Sequence, residues 1–179
     1  MSLSNLKIFV VVAVLALAAT ACSRKEKAGV TMQVKVQLPK GWADYSRENP
    51  EGPPTYLRDL SSTPGPLQIS LMLYKSGTIP NPSEQDLVDM CRELGASQDC
   101  GKPVETASGQ CAFGKFGTAI FRTAKNPRIQ VWKLSNGKDF ILVTQIFPAE
   151  PDAMEVQEAE QIVKGLTVEA ASKSKWKFW

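Results

Sequence analysis

Apolar and polar residues alternate strictly from Val30 to Leu38. Val30, Met32, Val34, Val36 and Leu38 share one face, and Thr31, Gln33, Lys35 and Gln37 share the other. This period of two predicts a strand with one buried side. Pro39-Lys40-Gly41-Trp42 ends it, because proline offers no amide to a ladder and glycine eases the turn. Asn49 to Pro54 reads as a loop, Thr55 to Leu60 as a short strand, and Ser61 to Pro66 as a turn rich in Pro and Gly. Leu67, Ile69, Leu71 and Leu73 then alternate with Gln68, Ser70, Met72 and Tyr74, which predicts another strand, and Lys75 to Pro82 is a loop.

The period changes after Ser83. Leu87, Val88, Cys91 and Leu94 recur at helical spacing behind a Ser83 N-cap with Glu84 and Asp86 in the first turn, and Gly95 is read as the stop. Lys102 to Ala107 is expected to be a strand that turns at Ser108-Gly109 into a second one from Gln110. Phe116 to Thr123 continues as strand, with Gly114 and Gly117 marking a bulge or close packing. Ile129–Leu134 and Asp139–Phe147 flank Ser135-Asn136-Gly137-Lys138, where Asn-Gly predicts a type I′ hairpin. Asp152 caps a last helix whose apolar face is Val156, Ala159, Ile162, Val163 and Leu166, with Glu160 and Lys164 at pairing distance. Antiparallel strands, a helix, more antiparallel strands and a final helix make an α+β class: a central antiparallel β-sheet flanked by helices.

The first residues follow a different logic. Lys7 precedes an unbroken apolar run from Ile8 to Ala19, and Ala18-Ala19-Thr20-Ala21 lead into Cys22 before the charged Ser23–Lys27. A basic start, a short apolar core and a small-residue exit predict a secretory signal, and the run is shorter than the roughly 20 residues of a membrane span. A cysteine at the cut resembles the lipobox of bacterial lipoproteins, which implies lipidation at Cys22. The expected organisation is a signal peptide over 1–21, a lipidated tether over 22–29, one domain over 30–168 and a basic aromatic tail over 169–179. Ser23 after the lipidated cysteine resembles the sorting pattern for the outer membrane, so the domain is expected to face the periplasm.

Charge and residue usage remove several function classes. The formal net charge is only +3 with no dense basic block in the body, which argues against nucleic acid as a partner. Histidine is absent altogether, which excludes Ser-His-Asp and Cys-His nucleophile systems and any histidine metal site. No enzyme activity and no cofactor are therefore expected. An exported chain meets an oxidising compartment, so one disulfide is expected among Cys91, Cys100 and Cys111. Cys91–Cys100, closing a short loop, ranks first and would stabilise by about 2–3 kcal/mol; pairings through Cys111 remain open. A thiol-dependent enzyme would need a neighbouring histidine or a Cys-x-x-Cys, and the chain has neither.

The strand ending in Leu38-Pro39-Lys40-Gly41-Trp42 resembles the opening of PsbP-like domains. The Leu67–Leu73 strand, the Ser83 helix with Asp86-Leu87, the Gly117–Phe121 segment, the Arg128–Leu134/Asp139–Phe147 hairpin and the closing helix follow in the family's order. The resemblance implies a sheet sandwiched between helices and used to bind or assemble other proteins, without catalysis. Metal-binding histidines of some relatives have no counterpart here, so metal binding does not carry over. Trp42 and Trp132 are expected in the core, not as a ligand platform. In Lys173-Ser174-Lys175-Trp176-Lys177-Phe178-Trp179, lysines interleave with aromatics, a composition suited to a membrane–water boundary or an acidic partner; Lys175, Trp176, Lys177, Phe178 and Trp179 are the candidate contacts. The expected function is a non-enzymatic lipid-anchored periplasmic lipoprotein that binds another envelope protein as an assembly or accessory factor. The alternative is an immunity lipoprotein that neutralises a toxin delivered to the periplasm.

Overall fold

The computed structural model describes residues 32–59, 61–73 and 81–170. Its elements in chain order are β1 (Met32–Lys35), β2 (Trp42–Asp44), β3 (Thr55–Arg58), β4 (Leu67–Leu73), α1 (Glu84–Ser97), β5 (Glu105–Cys111), β6 (Gly114–Phe121), β7 (Arg128–Ser135), β8 (Asp139–Phe147), α2 (Ala153–Lys164) and β9 (Thr167–Ala170). Seven strands form one antiparallel sheet in the order β2-β3-β4-β8-β7-β6-β5, and β1 pairs with β9 as a separate two-stranded ribbon. The fold is α+β, with a helix on each face of the sheet.

Alternation along each strand divides the side chains between two cores. On one face Leu67, Ile69, Trp132, Leu134, Ile141 and Val143 pack with Ala159, Ile162 and Val163 of α2, joined by Val34 and Val168 from the ribbon. On the other, Ala119, Phe121, Ile129 and Val131 pack with Cys91 of α1. Trp42 and Trp132 are both buried, as their strand positions require; Trp42 donates from Nε1 to Glu158 Oε2 at 2.9 Å. Arg58, itself buried, holds the same carboxylate at 2.8 Å and Asp152 at 3.3 Å, which ties β2 and β3 to α2. Glu155 is fully buried in place of the expected Val156, and its Oε1 accepts from the Gly65 amide at 2.8 Å.

Local signals located the elements, and tertiary packing moved several boundaries. The Ser83–Asp86 capping box forms, but α1 runs through Gly95, where a Cβ would overlap the Phe121 ring. Gly95 is there for close packing and does not end the helix. The expected turn at Ser108-Gly109 is absent: β5 continues to Cys111, and Gly114, at φ 144°, opens β6 after Ala112-Phe113. The Asn136-Gly137 hairpin lies where expected, but only Gly137 has positive φ, so it is not type I′. Ser135 pairs with Phe140, and Asn136 Oδ1 closes the longer loop by accepting from the Lys138 and Asp139 amides, both at 2.8 Å. The three-residue β2 and the ribbon strand β9 were not anticipated, so the folded body reaches Ala170 and takes in the start of the expected tail.

Gly117 fixes how close α1 comes. A Cβ there would sit 2.5 Å from the Leu87 carbonyl carbon, and the Cys91 thiol meets the Gly117 carbonyl oxygen at 3.4 Å. Backbone cannot swing aside as a side chain can. Gly117→Ala is therefore expected to destabilise at or above the upper end of the roughly 1–3 kcal/mol typical of overpacking. Gly109→Ala, whose nearest obstacle is the Phe116 ring at 3.1 Å, should cost under about 1 kcal/mol. Urea midpoints of the two variants test this, and equal shifts would contradict it.

Candidate functional site

The two faces of the sheet are unequally covered. Strands spaced about 4.8 Å apart make a seven-stranded sheet about 29 Å across, whereas a helix with its side chains is about 10 Å wide. On one face α2 and the β1–β9 ribbon share the work. On the other, α1 lies over β5, β6 and β7. Among the described residues no helix lies above β8, β4 and β3.

The residues on that open half follow from the register. Tyr56, Leu67, Ile69, Ile141 and Val143 point to the α2 side, so Leu57, Gln68, Ser70, Met72, Leu142, Thr144 and Ile146 point to the open side. Leu142 lies opposite Ser70 on β4 and opposite Lys133 on β7, and Met72 lies opposite Phe140. A solvated face of an antiparallel sheet is normally polar at its outward positions. Here Met72 is 41% and Ile146 40% exposed, with Leu57 and Leu142 half-buried beside them.

Lys133 stands on the border between this face and α1. Its Nζ lies 3.8 Å from Met72 Sδ, a weak acceptor, and no carboxylate among the described residues pairs with it. Burial pulls its ammonium below the ordinary lysine range. Cys91 nearby supplies no counter-charge, since burial pushes that thiol up to about 12 and keeps it neutral at physiological pH. The site thus offers apolar area with one under-solvated cation, Lys133, and three further hydrogen-bonding side chains, Gln68, Ser70 and Thr144. That is chemistry for binding. Among the described residues no group of His, Cys, Asp and Glu is arranged to hold a metal ion.

The residues singled out from the sequence lie elsewhere. Cys22 and Lys175, Trp176, Lys177, Phe178 and Trp179 fall outside the described residues. The expected Cys91–Cys100 disulfide is not formed: both thiols are free, as is Cys111. Cys91 Sγ is turned to the Gly117 carbonyl, and Cys100 Sγ to the Gln98 carbonyl at 3.6 Å. Cys111 packs into the α2-side core, across the sheet from the other two, which removes it as a bridging partner. Lys133, Met72 and Ile146 were missed. The available signal was a lysine on the same strand face as Ile129 and Val131, and large apolar residues in the outward set of β4 and β8.

An unpaired, under-solvated lysine lowers stability, and its removal tests that directly. Between its lowered folded pKa and the ordinary value the unfolded chain binds more protons at Lys133, so stability rises with pH across that window. Lys133→Met is expected to raise Tm near neutral pH, by about 2–4 °C for each 1 kcal/mol of relieved desolvation. The gain should shrink as pH climbs through the window, read below the pH at which the Cys91 thiol, which is coupled to Lys133, begins to ionise. A variant less stable than the parent at pH 7 would contradict the unpaired reading.

No protein-family model and no curated protein sequence matches the chain. It is similar in structure to the cyanobacterial PsbP protein CyanoP of Synechocystis, at 9% identity and TM-score 0.48 over 83% of this chain and 99% of that one. It is also similar to LpqN of Mycobacterium tuberculosis, a protein involved in cell envelope biogenesis, at 10% identity and TM-score 0.47 over 77% and 84%. A Bacteroides thetaiotaomicron protein is similar at 15% identity and TM-score 0.41 over 77% of this chain; the chain spans 46% of that protein's length.

Proposed function

We propose that this protein is a lipid-anchored envelope domain that binds another envelope protein through the open half of its sheet and performs no catalysis. The observation that carries this is the outward set Leu57, Met72 and Ile146, large apolar residues on β3, β4 and β8 with no helix above them among the described residues, beside Leu142, which packs against the α1-side core, and the buried Phe140. Cys22 supplies the anchor, and Ser23 after it favours the periplasmic face of the outer membrane as the location.

The dimensions suit a protein partner. Strands β3, β4 and β8, of four, seven and nine residues, offer a face about 15 Å wide and about 13–30 Å long, a few hundred Å². A standard interface takes about 800 Å² from each side. A partner would therefore cover the whole open half and the adjacent flank of α1, where Met90 and Leu94 are half-buried. Methionines at two points of this surface allow it to adapt to the partner's shape. Lys133 adds specificity: an acidic group placed over it relieves the desolvated charge, and a partner without one leaves that charge buried.

Photo-crosslinking in intact cells tests the reading. A photoreactive residue at Met72 or at Ile146 should give one discrete protein adduct, weakened by Lys133→Glu. The same residue at Gln157, exposed on the outer side of α2, should give none. Adducts from Gln157 alone, or from no position, would contradict the proposal.

A further inference from the structure

Among the described residues β5 ends the seven-stranded sheet, paired with β6 on one side and with no strand on the other. Cys111 and Gly114 close the two-residue Ala112-Phe113 turn as a ladder pair, so alternate residues of β5 turn their backbone groups to β6 and those between turn them away. Ala112 shows the phase, since its outward amide donates to the Lys164 carbonyl at 2.9 Å. Thr106, Ser108 and Gln110 therefore present their amides and carbonyls outward, and no described group takes them. Sheet edges are normally short, charged, kinked or covered, which prevents stray pairing. β2, at the other edge, has three residues, and the ribbon strands have four each, with a Lys35–Glu169 pair at 3.7 Å. β5 lacks these defences. It runs seven residues in unbroken register, has no proline or lysine, and carries a single charge, Glu105, at its end. Val104 beside it is 60% exposed, more than any other large apolar residue among those described.

We infer that β5 pairs antiparallel with β5 of a second copy of this chain, about a two-fold axis through Ser108, and joins the two sheets edge to edge. The strand's own sequence selects this occupant. The register that uses all seven residues sets Ser108 opposite Ser108, Ala107 opposite Gly109, Thr106 opposite Gln110 and Glu105 opposite Cys111. The outward backbone groups of Thr106, Ser108 and Gln110 then meet each other across the axis. No like charges stand opposite, Thr106 and Gln110 form a hydrogen-bonding pair on both sides of the axis, and Val104 comes to lie opposite Ala112. One term opposes the pairing. Glu84, which accepts from Gln110 at 2.6 Å and from Ser108 at 3.3 Å, is brought to the same face as its counterpart, a repulsion that salt screens. Seven residues span about 24 Å. A single strand pair falls short of the about 800 Å² per side of a standard interface, so the dimer is weak in dilute solution and forms where copies are crowded. β5 lies at the far end of the sheet from β3 and β4, and the pairing leaves both open half-faces free. A two-fold axis normal to the sheet keeps them on one side, so the dimer presents that surface twice. The pairing itself does not depend on the half-face being a binding site.

Cysteine trapping in the purified full-length protein tests the contact and its register together. The background is Cys100→Ser/Cys111→Ser, which removes the two half-exposed thiols. Ser108→Cys should oxidise to a covalent dimer, because residues paired on the axis have Cα atoms about 5.5 Å apart, within disulfide reach. Thr106→Cys and Gln110→Cys should each stay monomeric alone, about 14 Å from their own counterparts, and should give a heterodimer when mixed. The background by itself, and Gln157→Cys on the exposed side of α2, should give no dimer. The unaltered chain supplies a second measurement. Hydrogen exchange at the Thr106, Ser108 and Gln110 amides should slow as the concentration rises to about 1 mM, high enough to populate a weak dimer, while exchange along β2 stays constant. Exchange at these amides that ignores concentration overturns the inference, whatever the variants do. Slowed exchange without a Ser108→Cys dimer puts something other than this register on the edge and overturns it as well. Thr106→Cys trapped alone as readily as Ser108→Cys does the same.

Discussion

Everything functional about this structure depends on a mismatch of widths. A seven-stranded sheet needs more than one helix to cover a face, and the chain spends its second helix and its terminal ribbon on the same side. Among the described residues the other side receives α1 alone. Gly117 holds that helix so tightly over β6 that it cannot spread towards β8. The consequence is a half-face with an apolar outward set and a lysine that no acid among the described residues neutralises. Each of these would be a defect in a freely diffusing monomer, where exposed apolar area invites association and a desolvated charge lowers stability. On the proposed reading they are a binding surface before it is occupied.

The ribbon gives that surface a direction. Had β9 not returned to β1, the tether and the far end of the chain would leave from unrelated places. Their pairing brings both ends of the described body to one pole. On the lipid-anchored reading proposed above, the lipid would concentrate the protein at a surface and the open half-face would select what it meets there.

Local physics was well legible in the sequence. Alternation placed β4, β7 and β8 within a residue or two, and the Ser83 and Asp152 caps started both helices where they begin. What escaped was decided across the fold. Thr167–Ala170 alternates polar and apolar residues over only four positions, too short a pattern to mark a strand, and pairs with β1 from the far end of the chain. Gly95 carries a local stop signal that the Phe121 ring overrides. Glu155 reads as a solvated first-turn acid until the Gly65 amide is found above it. The open half-face was the least legible feature, since alternation tells which residues point outward but not whether anything lies over them. Cys91 and Cys100 show the same limit: proximity in sequence suggested a bond, and in the structure each thiol meets a backbone carbonyl instead.

The central claim is that the open half of the sheet is covered in the cell. Hydroxyl-radical footprinting of the native protein, read by mass spectrometry residue by residue, tests it without altering the chain. Met154 is 55% exposed at the start of α2 and serves as the internal reference for Met72 and Ile146. The account predicts that Met72 and Ile146 oxidise readily in the purified protein and are protected in intact envelopes, while Met154 reacts alike in both. Equal oxidation of Met72 and Ile146 in the two settings would contradict it.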